Sequence, residues 1–306
     1  MIVVKIFGGL GNQMFQYAMG KSFAKKYNLD FKIESKSGFV NDFYDRKLGL
    51  NNFNITAKEV DSKILPKKAF KYSSINFIQK IIDYLDNKIP QINYFLFYKN
   101  WVIINEKNKY YKNINYGGIK NVYLIGYWQS EKYFTDIRQE LLNDFSLKET
   151  LNSENLEVAN LIRNKNSVCI HYRRLHGISN GIITNAHTKI HGVISDEYYR
   201  MSIKYIKSKI TDLTLFIFSD DIGWVKENIK FNENIIFVNI NSDEKNYLDL
   251  YLMSLCKHQI IANSSFSWWA AWLNQNSDKI VISPSKWYVD ELLNNNDTIP
   301  DNWIKI

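Results

Sequence analysis

Apolar residues recur along this chain in two rhythms. Short runs, IVVKIF (2–7), WVIIN (101–105), VYLIGY (122–127), SVCIHY (167–172), TLFIFS (214–219), IIFVNI (235–240), QIIAN (259–263) and KIVIS (279–283), have the length and β-branched content of buried strands. Between them, apolar positions three and four apart predict helices over 12–27, 75–86, 131–145, 154–164, 196–209, 221–229, 245–256 and 265–275. Alternation of this kind predicts an α/β protein with parallel sheets wound by helices on both faces. The rhythm is cleanest in the second half. It weakens over roughly 35–120, where asparagine and lysine are dense. SLKETLNSEN (146–155) links one helix to the next, so a boundary near 150 is expected. The simplest architecture is two doubly wound domains, 1–150 and 151–306, facing each other across a cleft, with ligands beyond the carboxyl ends of the strands.

Composition narrows the class. The 306 residues are 45% apolar and 23% charged, a globular balance. The 20 Tyr, 18 Phe and 8 Trp fit core packing, codon bias or sugar-binding walls. A net charge of +8 suits nucleotide phosphates or an anionic membrane face. The lysines are scattered without a basic block, which argues against a nucleic-acid partner. Cys169 and Cys256 lie in apolar segments without metal-ligand spacing and read as buried thiols in a reducing compartment. MIVVKIFGGLG reads as a first strand, not a signal peptide, and no stretch of about 18 apolar residues occurs. A cytoplasmic protein is expected, with peripheral contact at the inner membrane open to it.

Four stretches could carry chemistry. In FGGLGNQMFQYAMGKSFAKKY (7–27), Gly8, Gly9 and Gly11 allow a tight turn, Asn12 could cap the helix, and free amides there would suit an anion. A structural turn and a binding loop both fit, and the spacing is neither a Walker loop nor a dinucleotide fingerprint. In SVCIHYRRLHG (167–177), Arg173 and Arg174 leave a strand end two positions after His171, an arrangement suited to a diphosphate or to a salt bridge. In FSDDIGWVKENI (218–229), Ser219 follows a strand and Asp220 caps a helix beginning near Asp221, with a ribose or base contact as the other reading. In YLDLYLMSLCKHQIIANSSFSWWAAWLNQ (247–275), Asn263, Ser264 and Ser265 open an aromatic helix, where serines can satisfy amides or bind phosphate. Trp268, Trp269 and Trp272 read as core. No D-x-D triplet occurs, which favours charge neutralisation by the protein over a divalent ion.

GGLGNQMFQYA, GYWQSEKYF (126–134), IHYRR (170–174), FSDD (218–221) and NSSFSWWAAWL (263–273), in this order, resemble the α-1,2-fucosyltransferases of glycosyltransferase family 11. FYDRKLGL (43–50) adds to the likeness. The resemblance implies a GT-B-type fold, GDP-β-L-fucose as donor, inversion at the anomeric carbon, and neither metal nor cofactor. It gives residues 1–150, with the glycine loop, the acceptor side and residues 151–306 the GDP-sugar. By the same likeness His171, Arg173 and Arg174 hold the diphosphate, and Asn263, Ser264, Ser265 and Phe266 surround the phosphates and nucleoside. Asp249 matches a carboxylate on guanine, and Gly9, Gly11, Asn12 and Gln13 match the loop closing on donor and reacting sugar. The family motif continues with glycine and aspartate where this chain has Leu175 and His176. The base is therefore open among His176, Asp196, Glu197 and a largely dissociative route, with a solvated loop histidine the plainer account of His176. GISNGIITNAHTKIHG (177–192) reads as an acceptor lid.

The expected activity is transfer of L-fucose to O2 of a terminal galactoside, by analogy on a lipopolysaccharide O-unit. The alternatives are transfer of another GDP-deoxyhexose, an acceptor other than galactose, and a noncatalytic glycan- or nucleotide-binding protein.

Overall fold

The structure, a computed structural model, describes residues 1–40, 42, 44–66, 94–98, 100–106, 111, 113–114, 121–174, 178–179, 182–183, 191–290 and 297–306. The helix expected over 75–86, His176 and most of the expected lid lie outside the described residues.

In chain order the elements are β1 (Ile2–Lys5), α1 (Leu10–Lys26), β2 (Phe31–Glu34), β3 (Lys58–Glu59), β4 (Tyr94–Tyr98), β5 (Trp101–Asn105), β6 (Asn121–Ile125), α2 (Arg138–Asp144) and α3 (Ser153–Arg163). There follow β7 (Asn166–Tyr172), β8 (Ile178–Ser179), β9 (Ile182–Ile183), α4 (Asp196–Lys207), β10 (Leu213–Ser219), α5 (Ile222–Asn228) and β11 (Asn234–Phe237). The chain closes with α6 (Asn246–Leu255), β12 (His258–Ile260), α7 (Ser265–Leu273), β13 (Val281–Ser283) and β14 (Ile304–Lys305). All eight expected strands are present, several shorter than their apolar runs. The helix expected over 131–145 is two single 3-10 turns leading into α2. The weakly periodic region contributes β3 and β4, and β2 comes just before it; pattern alone reveals none of the three.

These strands build two six-stranded sheets, ordered β3-β2-β1-β6-β5-β4 and β11-β10-β7-β12-β13-β14, with β8 and β9 forming a small antiparallel ribbon. Every pairing in the two large sheets is parallel except β4 with β5. The expected α/β, GT-B-type layout is thus observed. In the second sheet β10 and β11 step outward on one side of β7, and β12, β13 and β14 on the other. The order reverses between β7 and β12. In the first sheet it reverses between β1 and β6. A crevice opens beyond the carboxyl ends of the strands at each such point, because the connections leave in opposite directions.

Alternate residues of each central strand enter different cores, as the two-residue period requires. Ile2, Val4 and Ile6 of the first strand, Val102 and Ile104 of β5, Cys169 of β7, and Phe216 and Phe218 of β10 share one large apolar cluster with α1 and α7. Val3, Ile103 and Tyr123 face a second cluster, and Val168, Ile170, Leu215 and Ile217 a third. One core therefore joins the inner faces of both sheets. At its centre the Phe15 ring lies 4.4 Å from that of Trp268 and 5.0 Å from that of Trp269, which stacks on Phe134 at 5.4 Å. Trp268, Trp269 and Trp272 are core, and Cys169 and Cys256 are buried thiols, as expected. Large aromatic side chains bury the most apolar area per residue, which accounts for part of their abundance. Among the described residues no helix is long and apolar enough to cross a membrane.

Candidate active site

Three of the four chemically suggestive stretches, with GYWQ from the family likeness, arrive in pairs at the two crevices. FGGLGNQ follows β1 and GYWQ follows β6; HYRR ends β7 and NSSF follows β12. Gly11 then joins the pairs. A Cβ built on Gly11 would stand 2.4 Å from the carbonyl carbon of Ser265 and 2.6 Å from the amide nitrogen of Phe266. The first turns of α1 and α7 approach this closely only because residue 11 has no side chain.

At the β7 end, His171 is buried and its ring centre lies 5.9 Å from that of Phe266. Burial, and then the charge of Arg173, push its imidazole down to about 3, so His171 is neutral at physiological pH. Its Nδ1 and the Nε of Arg173 are buried without hydrogen-bond partners among the described residues. Arg173 Nη1 pairs with Asp220 Oδ2 at 3.2 Å, and the Arg174 amide donates to Asp220 Oδ1 at 2.8 Å. The Arg174 guanidinium carbon stands 3.2 Å from the centre of the Trp224 ring. The salt-bridge reading therefore holds, since a carboxylate engages the pair, and the Nε of Arg173 has no partner among the described residues.

Asp220 does not cap the following helix. α5 begins at Ile222, and Asp221 caps it by accepting from the Trp224 amide at 3.2 Å. The one-residue slip frees Asp220 for the arginines, while Ser219 ends β10 and its hydroxyl accepts from the Asp221 amide at 3.0 Å.

Beyond β12, Asn263 is buried and donates from Nδ2 to the His191 carbonyl at 2.5 Å. Ser264 caps α7, its hydroxyl accepting from the Phe266 amide at 3.3 Å. Ser265 and Phe266 are half-buried at the first turn. Asp249 stands on α6, where its Oδ1 accepts from Asn241 Nδ2 at 2.7 Å, and Asn241 in turn exchanges hydrogen bonds with Asn155 on α3. Burial raises the Asp249 carboxyl to about 6, the Asn241 bond offsets this in part, and Asp243 adds to it.

The glycine loop departs from expectation in two respects. Asn12 is not a cap: the helix is already turning at Leu10, Gly9 occupies the capping position, and the amides of Asn12 and Gln13 both donate to the Gly9 carbonyl. Gln13 is a brace and is not presented to a ligand. It is buried, donates from Nε2 to the carbonyls of Gly8 at 2.8 Å and Lys47 at 2.9 Å, and accepts from the Gly49 amide at 2.8 Å. Gly8, at φ +79, makes the turn, and a Cβ at Gly9 would meet open space. Asn12 Oδ1 accepts from Gln129 Nε2 at 2.8 Å, and the Tyr288 hydroxyl donates to Gln129 Oε1 at 2.9 Å.

Asp196 and Glu197 lie exposed in the first turn of α4, where carboxylates complement the helix dipole. Gln129, Tyr127, Arg46, Glu106 and Tyr288 are neighbours that sequence reasoning passed over. GYWQSEKYF and FYDRKLGL carried three of them, but only the fold shows that these stretches flank the glycine loop.

The family described as glycosyl transferase family 11 matches residues 1–306. The chain is 36% identical over 310 residues to an α-1,2-colitosyltransferase of Escherichia coli, covering 100% of this chain and 98% of that protein. It is 32% identical over 323 residues to the O-antigen biosynthesis glycosyltransferase WbnK of Escherichia coli, covering 98% of each. The solved structure of fucosyltransferase NodZ from Bradyrhizobium aligns over 88% of this chain and 91% of that one, with 13% identity and a TM-score of 0.47.

Proposed function

The chain belongs to glycosyl transferase family 11, and from that premise we propose that it moves a 6-deoxy-L-hexose from its GDP ester to O2 of a galactoside, with inversion and without a metal ion. L-fucose is the first choice of sugar. Colitose, its 3-deoxy counterpart, is the second, favoured by the 36% identity to an α-1,2-colitosyltransferase.

The observation that carries the proposal is the pair of buried nitrogens without partners among the described residues, the Arg173 Nε donor and His171 Nδ1, which donates in one of the two neutral tautomers, at the crevice between β7 and β12. A buried polar group without a partner costs about 1–3 kcal/mol, and an anion accepting from both would remove that cost. A nucleotide diphosphate supplies such an anion. As the bond from C1 to the phosphate oxygen breaks, its electron pair stays on GDP. Arg173 and Arg174 then neutralise the growing charge, a preorganised electrostatic stabilisation of the transition state. The family pattern supports Ser264, Ser265 and Phe266 beside the phosphates and nucleoside, and Asp249 as acceptor for the N1 and N2 hydrogens of guanine. The acceptor oxygen bonds to C1 from the opposite face, and in this proposal His176 takes its proton. Residues 1–150 supply the acceptor side and 151–306 the donor side. The net charge of +8 supports peripheral contact with an anionic membrane face, and a bacterial O-unit fits as acceptor, in keeping with the O-antigen role named for WbnK.

The test is incubation of lactose with GDP-fucose, GDP-colitose or UDP-galactose, with and without EDTA, reading nucleotide release and product mass. GDP release with a matching mass gain is expected from a GDP-sugar, undiminished by EDTA. Release only after manganese is added would overturn the metal-free mechanism. Binding of GDP with no transfer from either GDP-sugar would favour a noncatalytic binding protein.

A further inference from the structure

The crevice between β1 and β6 has its own recognition chemistry. Tyr127 follows β6, is 41% exposed, and its ring centre lies 5.1 Å from that of Phe7 beside the glycine loop. Exposing so large a ring forgoes apolar burial. The backbone holds it there under strain: the next residue, Trp128, is fully buried at φ +56, a left-handed conformation unfavourable for a bulky side chain. Glu106 fixes this turn, its Oε2 accepting from the amides of Tyr127 at 2.6 Å and Trp128 at 2.8 Å. Strain retained beside an exposed ring at a strand-order reversal points to use of that ring.

Two oriented donors accompany it. The relay from Tyr288 through Gln129 occupies Asn12 Oδ1 and leaves Asn12 Nδ2 unused among the described residues. Arg46 is clamped by Asp42 through Nε and Nη2, at 2.7–3.1 Å, and Nη1 takes no part in a hydrogen bond among the described residues. Both unused donors sit at Gly8: a Cβ there would lie 3.3 Å from Asn12 Nδ2 and 3.9 Å from Arg46 Nη1. Arg46 is also within electrostatic reach of the Tyr127 phenol. An aromatic face beside hydrogen-bond donors matches a pyranose, which offers a patch of C–H groups on one face and hydroxyl oxygens at its rim. A galactoside, with its axial O4, gathers such a patch on a single face.

We propose that Tyr127, Asn12 and Arg46 form the acceptor-sugar subsite, the Tyr127 ring stacking on the apolar face of a galactoside while Asn12 Nδ2 and Arg46 Nη1 donate to its hydroxyl oxygens. This rests on the transferase reading above for the choice of galactoside. The test is NMR titration of the wild type, Y127A and Y127F with lactose in the presence of GDP, alongside thermal stabilisation by GDP alone. Wild type and Y127F are expected to bind lactose alike, and Y127A about tenfold more weakly, the size of one lost stacking contact. GDP stabilises all three alike. Equal affinity in Y127A, no lactose binding by the wild type, or loss of GDP stabilisation in Y127A each overturns the subsite. Sugar transfer is scored separately: a wild type that binds lactose through Tyr127 yet transfers nothing sinks the transferase reading and leaves the subsite standing.

Discussion

The two crevices occupy the same place in their sheets, beyond the carboxyl ends of the strands where the order reverses, yet they are furnished in opposite ways. At β7 and β12 the groups are ionic or buried: two arginines, Asp220, a neutral His171, and a serine capping a helix. At β1 and β6 they are amides, glycines, an exposed ring and one arginine whose charge Asp42 offsets, with Gln13 bracing the backbone and Gln129 the Asn12 side chain. The sheet supplies the location, and the residues after each strand supply the chemistry. A charged ester requires fixed charge, and a neutral sugar requires a face and oriented donors.

That contrast breaks most readily at Arg173. Arg173→Ala is expected to lower turnover by about a hundredfold to a thousandfold, as for loss of one oxyanion-type donor, with little change in acceptor KM; steady-state kinetics on both substrates checks it. Near-normal turnover in a folded variant would leave the β7 end without its assigned role. Asp249 comes next. Its carboxyl is raised from 3.8 to about 6, so between those values the folded chain holds a proton that the unfolded chain has released. Stability is full below pH 3.8 and is lost as pH climbs through about 6, by about 3 kcal/mol. Asp249→Asn should therefore raise the melting temperature above pH 6, flatten its pH dependence, and weaken stabilisation by GDP relative to ADP. An unchanged melting curve across pH 4–8 would count against the raised carboxyl.

Gly11 and Gly9 separate structure from binding within one loop. Gly11→Ala drives a methyl into the Ser265 backbone and should cost about 1–3 kcal/mol by overpacking. Gly9→Ala meets open space and should stay within about 0.5 kcal/mol of the wild type. Calorimetry on the two variants ranks them; equal losses would contradict the close approach of α1 to α7. Ser264→Ala is expected to fall between the two, at about 1 kcal/mol for a lost helix cap, read by chemical denaturation.

The sequence rhythm located every strand that runs through the middle of a sheet except β2, four residues long between β1 and β3. Edge elements escaped it: β3 is two residues long, and β14 only two, too short to leave a period. The site was legible as motifs and only partly as roles. Arg173, Arg174 and the serines stand at strand ends as their pattern implied. Asp220 and Asp221 could not be told apart, because either carboxylate can cap a helix and a slip of one residue decides which remains for the arginines. Gln13 was misassigned for a similar reason, since a glutamine after glycines looks alike whether it meets a ligand or the backbone of residue 47.

From the order of its residues alone, this chain was committed to parallel sheets, an aromatic core and a cationic strand end, because periodicity, side-chain size and charge act locally and survive in one dimension. Which motifs would be neighbours was left to tertiary packing. Residues 11 and 265 meet only because α1 and α7 share a core between the two sheets. Residues 12, 129 and 288 form one relay only because three distant segments end at one crevice. Contacts at such separations depend on how the elements pack, and that is set by the summed burial of the whole chain.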